Sequence, residues 1–255
     1  MPLPNPFDFT GQAVVVTGAC GGLGRPIALG FAEAGADLVL ADVDAGGAEE
    51  LAREAREKGG RAIPIRVDVR EPADLEAMVE RALSELGRID VLVNLAGVIL
   101  RQAALERPLE RWDQEVDINL KGTWLACRMV APVMLRQGRG RIINFSSGAG
   151  FHGFSGYAGY TPSKHGVVGL TKVLAIEWSA RGVNVNAVAP GFTDTPLNAD
   201  VLGDPDKLRA TLSRIPVGQV LPADSQVGPT LFLASEAARW ITGFTLRVDG
   251  GFNAT

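Results

Sequence analysis

The chain has 255 residues, 46% hydrophobic and 21% charged, with 25 basic against 29 acidic side chains for a net charge of −4. That balance describes a globular protein with a sizeable core and excludes a chain disordered over most of its length. Cys20 and Cys127 are the only cysteines and lack metal-ligand spacing, so neither a disulfide scaffold nor a cysteine-based zinc site is expected. No run approaches the roughly 18 apolar residues of a membrane span, and the opening MPLPNPFDFTG lacks the basic and apolar regions of a signal peptide. An acidic chain with two tyrosines and no basic stripe offers little to nucleic acid. The expectation is a cytoplasmic protein with no membrane or nucleic-acid partner. Its densest basic cluster, Arg136, Arg139 and Arg141 around Gly138 and Gly140, reads as a solvated loop.

The first predicted strand is AVVVT at 13–17, running into the glycine-rich TGACGGLG at 17–24 and a helix near 23–34. A glycine pattern between strand and helix is informative because backbone amides at a helix start can hold a pyrophosphate, with the positive end of the helix dipole behind them. Side chains at Gly18, Gly22 or Gly24 would obstruct that approach. A second strand at 37–41 leads to Asp42, 24 residues after Gly18, where a carboxylate can accept both hydroxyls of an adenosine ribose and repel a 2′-phosphate. Gly21 and Val43 stand where a phosphate-reading site would place Arg or Lys, so NAD is favoured over NADP; the alternative for Asp42 is an ordinary turn carboxylate.

A helix near 45–58 and a strand at 61–67 follow, and then Asp68, placed either against an adenine amino group or as the cap of the next helix, near 72–86. Beyond a strand at 90–94 and a helix near 109–136 comes a strand at 141–146 ending beside Ser147. The helix near 158–180 carries Tyr160 and Lys164 at i and i+4, on one face about a turn apart. An ammonium beside a phenol stabilises the phenolate and brings proton transfer toward neutral pH. Ser147 can set its hydroxyl against the same substrate oxygen. A strand at 183–189, an irregular stretch from Gly191 to about Val220, a helix near 224–235 and a strand at 244–248 complete the chain. The alternation is that of βαβ units: an α/β protein with a doubly wound parallel sheet of about seven strands and helices on both faces. No linker divides it, so one domain is expected over 1–255, with a substrate lid over about 191–220.

TGACGGLG, NLAG at 94–97, Asn119 in DINLKG, Ser147 in NFSS, YTPSK at 160–164 and PGFTDT at 190–195 resemble, in order and spacing over residues 8–252, the short-chain dehydrogenase/reductases. The resemblance implies a Rossmann fold and the exchange of a hydride and a proton between a secondary alcohol and a ketone, with NAD as cofactor. It makes Tyr160 the acid/base, while Lys164 holds the nicotinamide ribose and lowers the tyrosine pKa, and Ser147 orients the reacting oxygen. Asn119 would interrupt its helix and position a water that passes protons from Lys164 to solvent. Pro190, Gly191, Thr193 and Thr195 resemble the segment that binds the nicotinamide carboxamide. Gly18, Cys20, Gly22, Leu23, Gly24, Asp42, Val43, Asp68, Val69, Asn94, Ala96 and Gly97 fall in the segments that hold the rest of the dinucleotide. Two departures stand out: Leu95 lacks the amide of the usual NNAG, and Cys20 replaces a residue that is often Ser or Ala.

GVILRQ at 97–102 and the region after Gly191 are most similar to sugar and sugar-acid dehydrogenases, nearest the 2-deoxy-D-gluconate 3-dehydrogenase and gluconate 5-dehydrogenase subgroups. By that resemblance Arg101 meets a substrate carboxylate; the bland alternative is solvated surface. His152 and Phe154 are expected to line the pocket, His152 either donating to a hydroxyl or idle, and His165 is structural. Alternatives are a 3-oxoacyl-thioester reductase, which would want NADPH, and a non-catalytic dinucleotide-binding protein. The family also suggests a homotetramer in which Trp124, Met129 and Trp178 serve an interface.

Overall fold

In this computed structural model residues 5–254 are described; Met1–Pro4, part of the opening read for a leader, and Thr255 lie outside the described residues. The run Ala13–Thr17 forms β1 with all five residues buried, as a strand covered on both faces requires. The others are β2 (Asp37–Asp42), β3 (Ala62–Arg66), β4 (Val91–Asn94), β5 (Gly140–Phe145), β6 (Val183–Pro190) and β7 (Thr245–Val248). All pair in parallel, in the order β3-β2-β1-β4-β5-β6-β7. Pro64 sits in edge strand β3, where its missing N–H costs little.

Alternation along β1 sends Val14 and Val16 to one core and Val15 to the other. The first is closed by α1 (Gly24–Glu33), α2 (Ala45–Arg56) and α9 (Val227–Ala234). The second is closed by α3 (Pro72–Leu86), α5 (Thr123–Gln137) and α6 (Tyr160–Trp178). Local chemistry sets the helix ends: Asp44 caps α2 by accepting from Gly47 N at 3.0 Å, Pro72 opens α3, and Gly87, at φ +77°, closes it. The chain order reverses between β1 and β4, which opens a crevice at the carboxyl ends of the central strands. No helix among the described residues is long and apolar enough to cross a membrane.

Three expectations change. The single helix near 109–136 is three segments: α4 (Leu109–Val116), a π-helical turn over Asp117–Gly122, and α5. The stretch 191–220 is not irregular throughout. It contains α7 (Ala199–Leu202) and α8 (Pro205–Leu212), the latter opened by Asp204 accepting from Asp206 N and Lys207 N. Neither buries a residue completely, so no apolar periodicity advertised them. The basic cluster is a solvated loop only in part: Arg136, at the end of α5, and Arg139 are exposed, Arg139 pairing with buried Asp90, while Arg141 lies in β5 and is held by Asn184 and Glu236. Of the proposed interface residues, Met129 and Trp178 pack on the core. Trp124 is exposed, and so are Val173 and Ile176 of α6.

Candidate active site

A cavity of about 670 Å³ opens at the crevice, and its floor is the glycine turn after β1. Gly18 has φ +68°, and a Cβ there would fall 2.5 Å from Ala96 N; at Gly22 it would fall 2.7 Å from Thr195 Cβ. Only glycine lets the turn lie this close to the neighbouring strand ends. The N-terminus of α1 faces this turn with no side-chain cap and no acid in its first turn, so its amides suit an anionic pyrophosphate. Leu23, Gly24, Gly97, Pro190, Gly191, Thr193 and Thr195 line the same cavity. The cradle fits a dinucleotide in shape and charge.

At the end of β2, Asp42 is locked in place, its Oδ2 accepting from Cys20 N at 2.9 Å and its Oδ1 from Asp44 N at 3.1 Å. Val43 beside it is exposed and brings no charge. Burial, then the Asp42 and Asp44 carboxylates, push the Cys20 thiol up to about 12, toward its protonated form.

Tyr160 is the first residue of α6 and buried, and Lys164 is buried one turn on. Lys164 Nζ donates to Phe145 O at 2.8 Å and lies 5.6 Å from the centroid of the Tyr160 ring. Burial presses the ammonium down to about 8. It pushes the phenol up to about 12, opposed by a hydrogen bond with Ser147 and by the charge of Arg101. Desolvation of the ring outweighs the lowering by Ser147 and Arg101. Ser147, at the end of β5, is fixed by accepting from Ala149 N at 3.1 Å. Asn119 sits in the π-turn, donating to Val98 O at 2.9 Å and to Ser163 Oγ at 3.2 Å while accepting from Val98 N at 2.8 Å. A Cβ on Gly97 would meet both Asn119 Oδ1, at 3.2 Å, and Lys164 Nζ, at 3.5 Å, so the two groups flank one glycine.

The other expected residues divide between the cavity and its surroundings. Asn94 turns inward, donating to Asn144 Oδ1 at 2.9 Å, and braces β4 against β5 instead of lining the cavity. Asp68 is paired with Arg70 and does not cap α3, whose N-cap is Glu71. Val69 is buried against Gly122, and Ala96 meets the glycine turn through its backbone. Phe154 lines the cavity; His152 does not, its ring meeting Phe252 edge-on at 6.0 Å. His165 Nδ1 bonds Thr161 O within α6, as a structural residue should.

Arg101 lines the cavity but is neither solvated nor unengaged. It donates to Tyr157 Oη at 2.8 Å, Leu197 O at 3.0 Å, Asn198 Oδ1 at 2.9 Å and Asp200 Oδ1 at 2.7 Å. Sequence reasoning missed Tyr157, Asn198, Arg214 and Phe252 as lining residues. The only signal for the last two was position, Arg214 in the proposed lid and Phe252 near the C-terminus.

A family model described as Enoyl-(Acyl carrier protein) reductase matches residues 18–253. The chain is 38% identical over 252 residues to 2-dehydro-3-deoxy-D-gluconate 5-dehydrogenase of Dickeya dadantii, covering 98% of each. It is 40% identical over 243 residues to 3-oxoacyl-(acyl-carrier-protein) reductase of Thermotoga maritima, covering 94% of this chain and 97% of that protein. Among solved structures it is similar to gluconate 5-dehydrogenase from Burkholderia cenocepacia J2315 in complex with NADP and tartrate, with TM-score 0.95, 33% identity and 98% of each chain covered.

Proposed function

We propose, on the premise that this chain belongs to the short-chain dehydrogenase/reductase family, that it oxidises a secondary hydroxyl of a sugar, polyol or sugar acid, or a sugar hemiacetal to its lactone, with NAD. The observation that carries this reading is that Ser147, Tyr160 and Lys164 line one cavity with the glycine cradle. Similarity to two sugar-acid dehydrogenases supports the substrate class.

Tyr160 takes the proton of the reacting hydroxyl, and Ser147 holds that oxygen in line. Lys164, anchored by Phe145 O, meets the nicotinamide ribose. The proton leaves by way of Lys164 and a water that Asn119, flanking the same glycine, would position on the way to solvent. When bound, the nicotinamide supplies the hydride acceptor at C4 and, oxidised, a positive charge that favours the phenolate. Asp42 accepts the adenosine ribose hydroxyls, Asp68 the adenine amino group, and Pro190 to Thr195 the carboxamide. NAD is preferred because a 2′-phosphate would face Asp42 and Asp44, with uncharged Gly21 and Val43 in reach, although the B. cenocepacia structure holds NADP. Residues 191–220 act as the lid, and the exposed faces of α5 and α6 serve a tetramer that sedimentation would detect.

The test is reduction of NAD or NADP at mildly alkaline pH with aldoses, polyols, aldonic acids, simple secondary alcohols and a 3-hydroxyacyl thioester. Turnover of a sugar or aldonic acid with NAD is expected. Activity confined to the thioester with NADP would overturn both the substrate class and the role of Asp42.

A further inference from the structure

We infer that Arg214, not Arg101, is the receptor for a substrate carboxylate. The inference rests on the sugar or sugar-acid reading above and names the acid as the preferred form. Every other charged side chain of the segment 199–214 is matched: Asp200 with Arg101, Asp204 with Lys207, and Asp206 with Arg209. Arg214 alone has no acidic partner among the described residues, and it lines the cavity.

Its guanidinium lies over two rings that also line the cavity, 5.3 Å from the centroid of Phe154 and 4.7 Å from that of Phe252. Contact with both rings limits the fork's freedom, and among the described residues its N–H groups make no hydrogen bond, so they are available for two parallel bonds to a carboxylate. A row of rings connects this cation to the reacting centre, since Phe154 is 5.3 Å from Tyr157 and Tyr157 is 5.9 Å from Tyr160. Arg101, whose charge is felt at Tyr160, has that charge matched by Asp200 and its donors directed at Tyr157, Leu197 and Asn198. A carboxylate there would have to displace Asp200, whereas at Arg214 it would displace only water.

The experiment compares D-gluconate with D-glucitol, which share a polyhydroxy chain and differ in the terminal carboxylate. The wild type, Arg214→Gln and Arg101→Gln are followed by kinetics and by calorimetric titration of the NADH complex. Wild type favours gluconate, and Arg214→Gln lowers the gluconate-to-glucitol ratio of kcat/KM at least tenfold, mainly through KM, with a matching loss of gluconate affinity. An unchanged ratio in Arg214→Gln, or a ratio that collapses only in Arg101→Gln, overturns the inference. If neither compound is turned over, the sugar reading fails by itself and calorimetry decides for Arg214. Gluconate binding lost in Arg214→Gln upholds the carboxylate receptor, and no binding preference for gluconate in the wild type ends it.

Discussion

Lys164 Nζ lies 5.6 Å from the Tyr160 ring centroid while donating to Phe145 O, and the same burial moves the two groups oppositely, the ammonium down to about 8 and the phenol up to about 12. Burial thus shifts each toward its uncharged form, yet below about 8 the ammonium keeps its charge beside a neutral phenol.

That pairing sets a pH dependence of stability. Between about 8 and the ordinary lysine value of 10.5 the unfolded chain binds a proton at Lys164 that the folded chain has released, so this residue makes stability rise with pH across that window. The full effect is about 3 kcal/mol. Tyr160 acts in the opposite sense only above its unfolded value near 10. Urea unfolding at pH 7.5 and 9.5 should show Lys164→Met gaining stability over wild type at the lower pH and losing that advantage at the higher. An advantage that does not change with pH would contradict the assignment.

Tyr160→Phe removes the group proposed to move the proton and leaves the ring volume in place. Turnover should fall by about 10² to 10⁴-fold. NADH binding, followed by fluorescence, should persist, because the glycine cradle does not involve the phenol oxygen; full activity in this variant would displace Tyr160 as acid/base.

Asp42→Ala with Val43→Arg exchanges the proposed ribose acceptor for a phosphate donor at the end of β2. The ratio of kcat/KM for NADP over NAD is expected to rise at least about 100-fold. If the wild type already prefers NADP, Asp42 is only a brace for the Cys20 and Asp44 amides.

Gly18→Ala places a Cβ 2.5 Å from Ala96 N on a backbone at φ +68°. The left-handed conformation alone costs about 1–2 kcal/mol. A lower unfolding midpoint and weaker dinucleotide affinity should appear together. A stable variant with unaltered affinity would mean that the turn has room the structure denies.

Arg107 and Glu115 form an ion pair with almost no exposure, and Arg107 also donates to Leu100 O, Gln102 O and Gly156 O. Burial raises the Glu115 carboxyl above its usual range. Removing the partner leaves a buried acid unpaired, so Arg107→Ala should cost about 3–5 kcal/mol in chemical unfolding. A loss under about 1 kcal/mol would show that water readily replaces the arginine.

The strands were legible because each is a short apolar run bounded by turn residues, and β1 and the start of β6 fall where the pattern puts them. The pair Tyr160 and Lys164 was legible for a related reason, since four residues on a helix fix a shared face whatever surrounds it. Helices α7 and α8 were not legible, because they bury little and leave no periodic trace. Asn94 was assigned to the dinucleotide because its motif is local, while its orientation depends on Asn144, fifty residues away.

What the sequence by itself determined, then, is what nearest neighbours in the chain decide: where the strands lie along the chain, the glycine turn at the start of α1, the common face of Tyr160 and Lys164, and a carboxylate at the end of β2. Only the tertiary structure decided which charges are available. Arg101 is engaged by Asp200, ninety-nine residues away, whereas Arg214 has no ion pair with an acid among the described residues. A side chain's identity is written locally. Its solvation and partners are set by segments that meet only when the sheet closes, and those determine both its pKa and its freedom to bind.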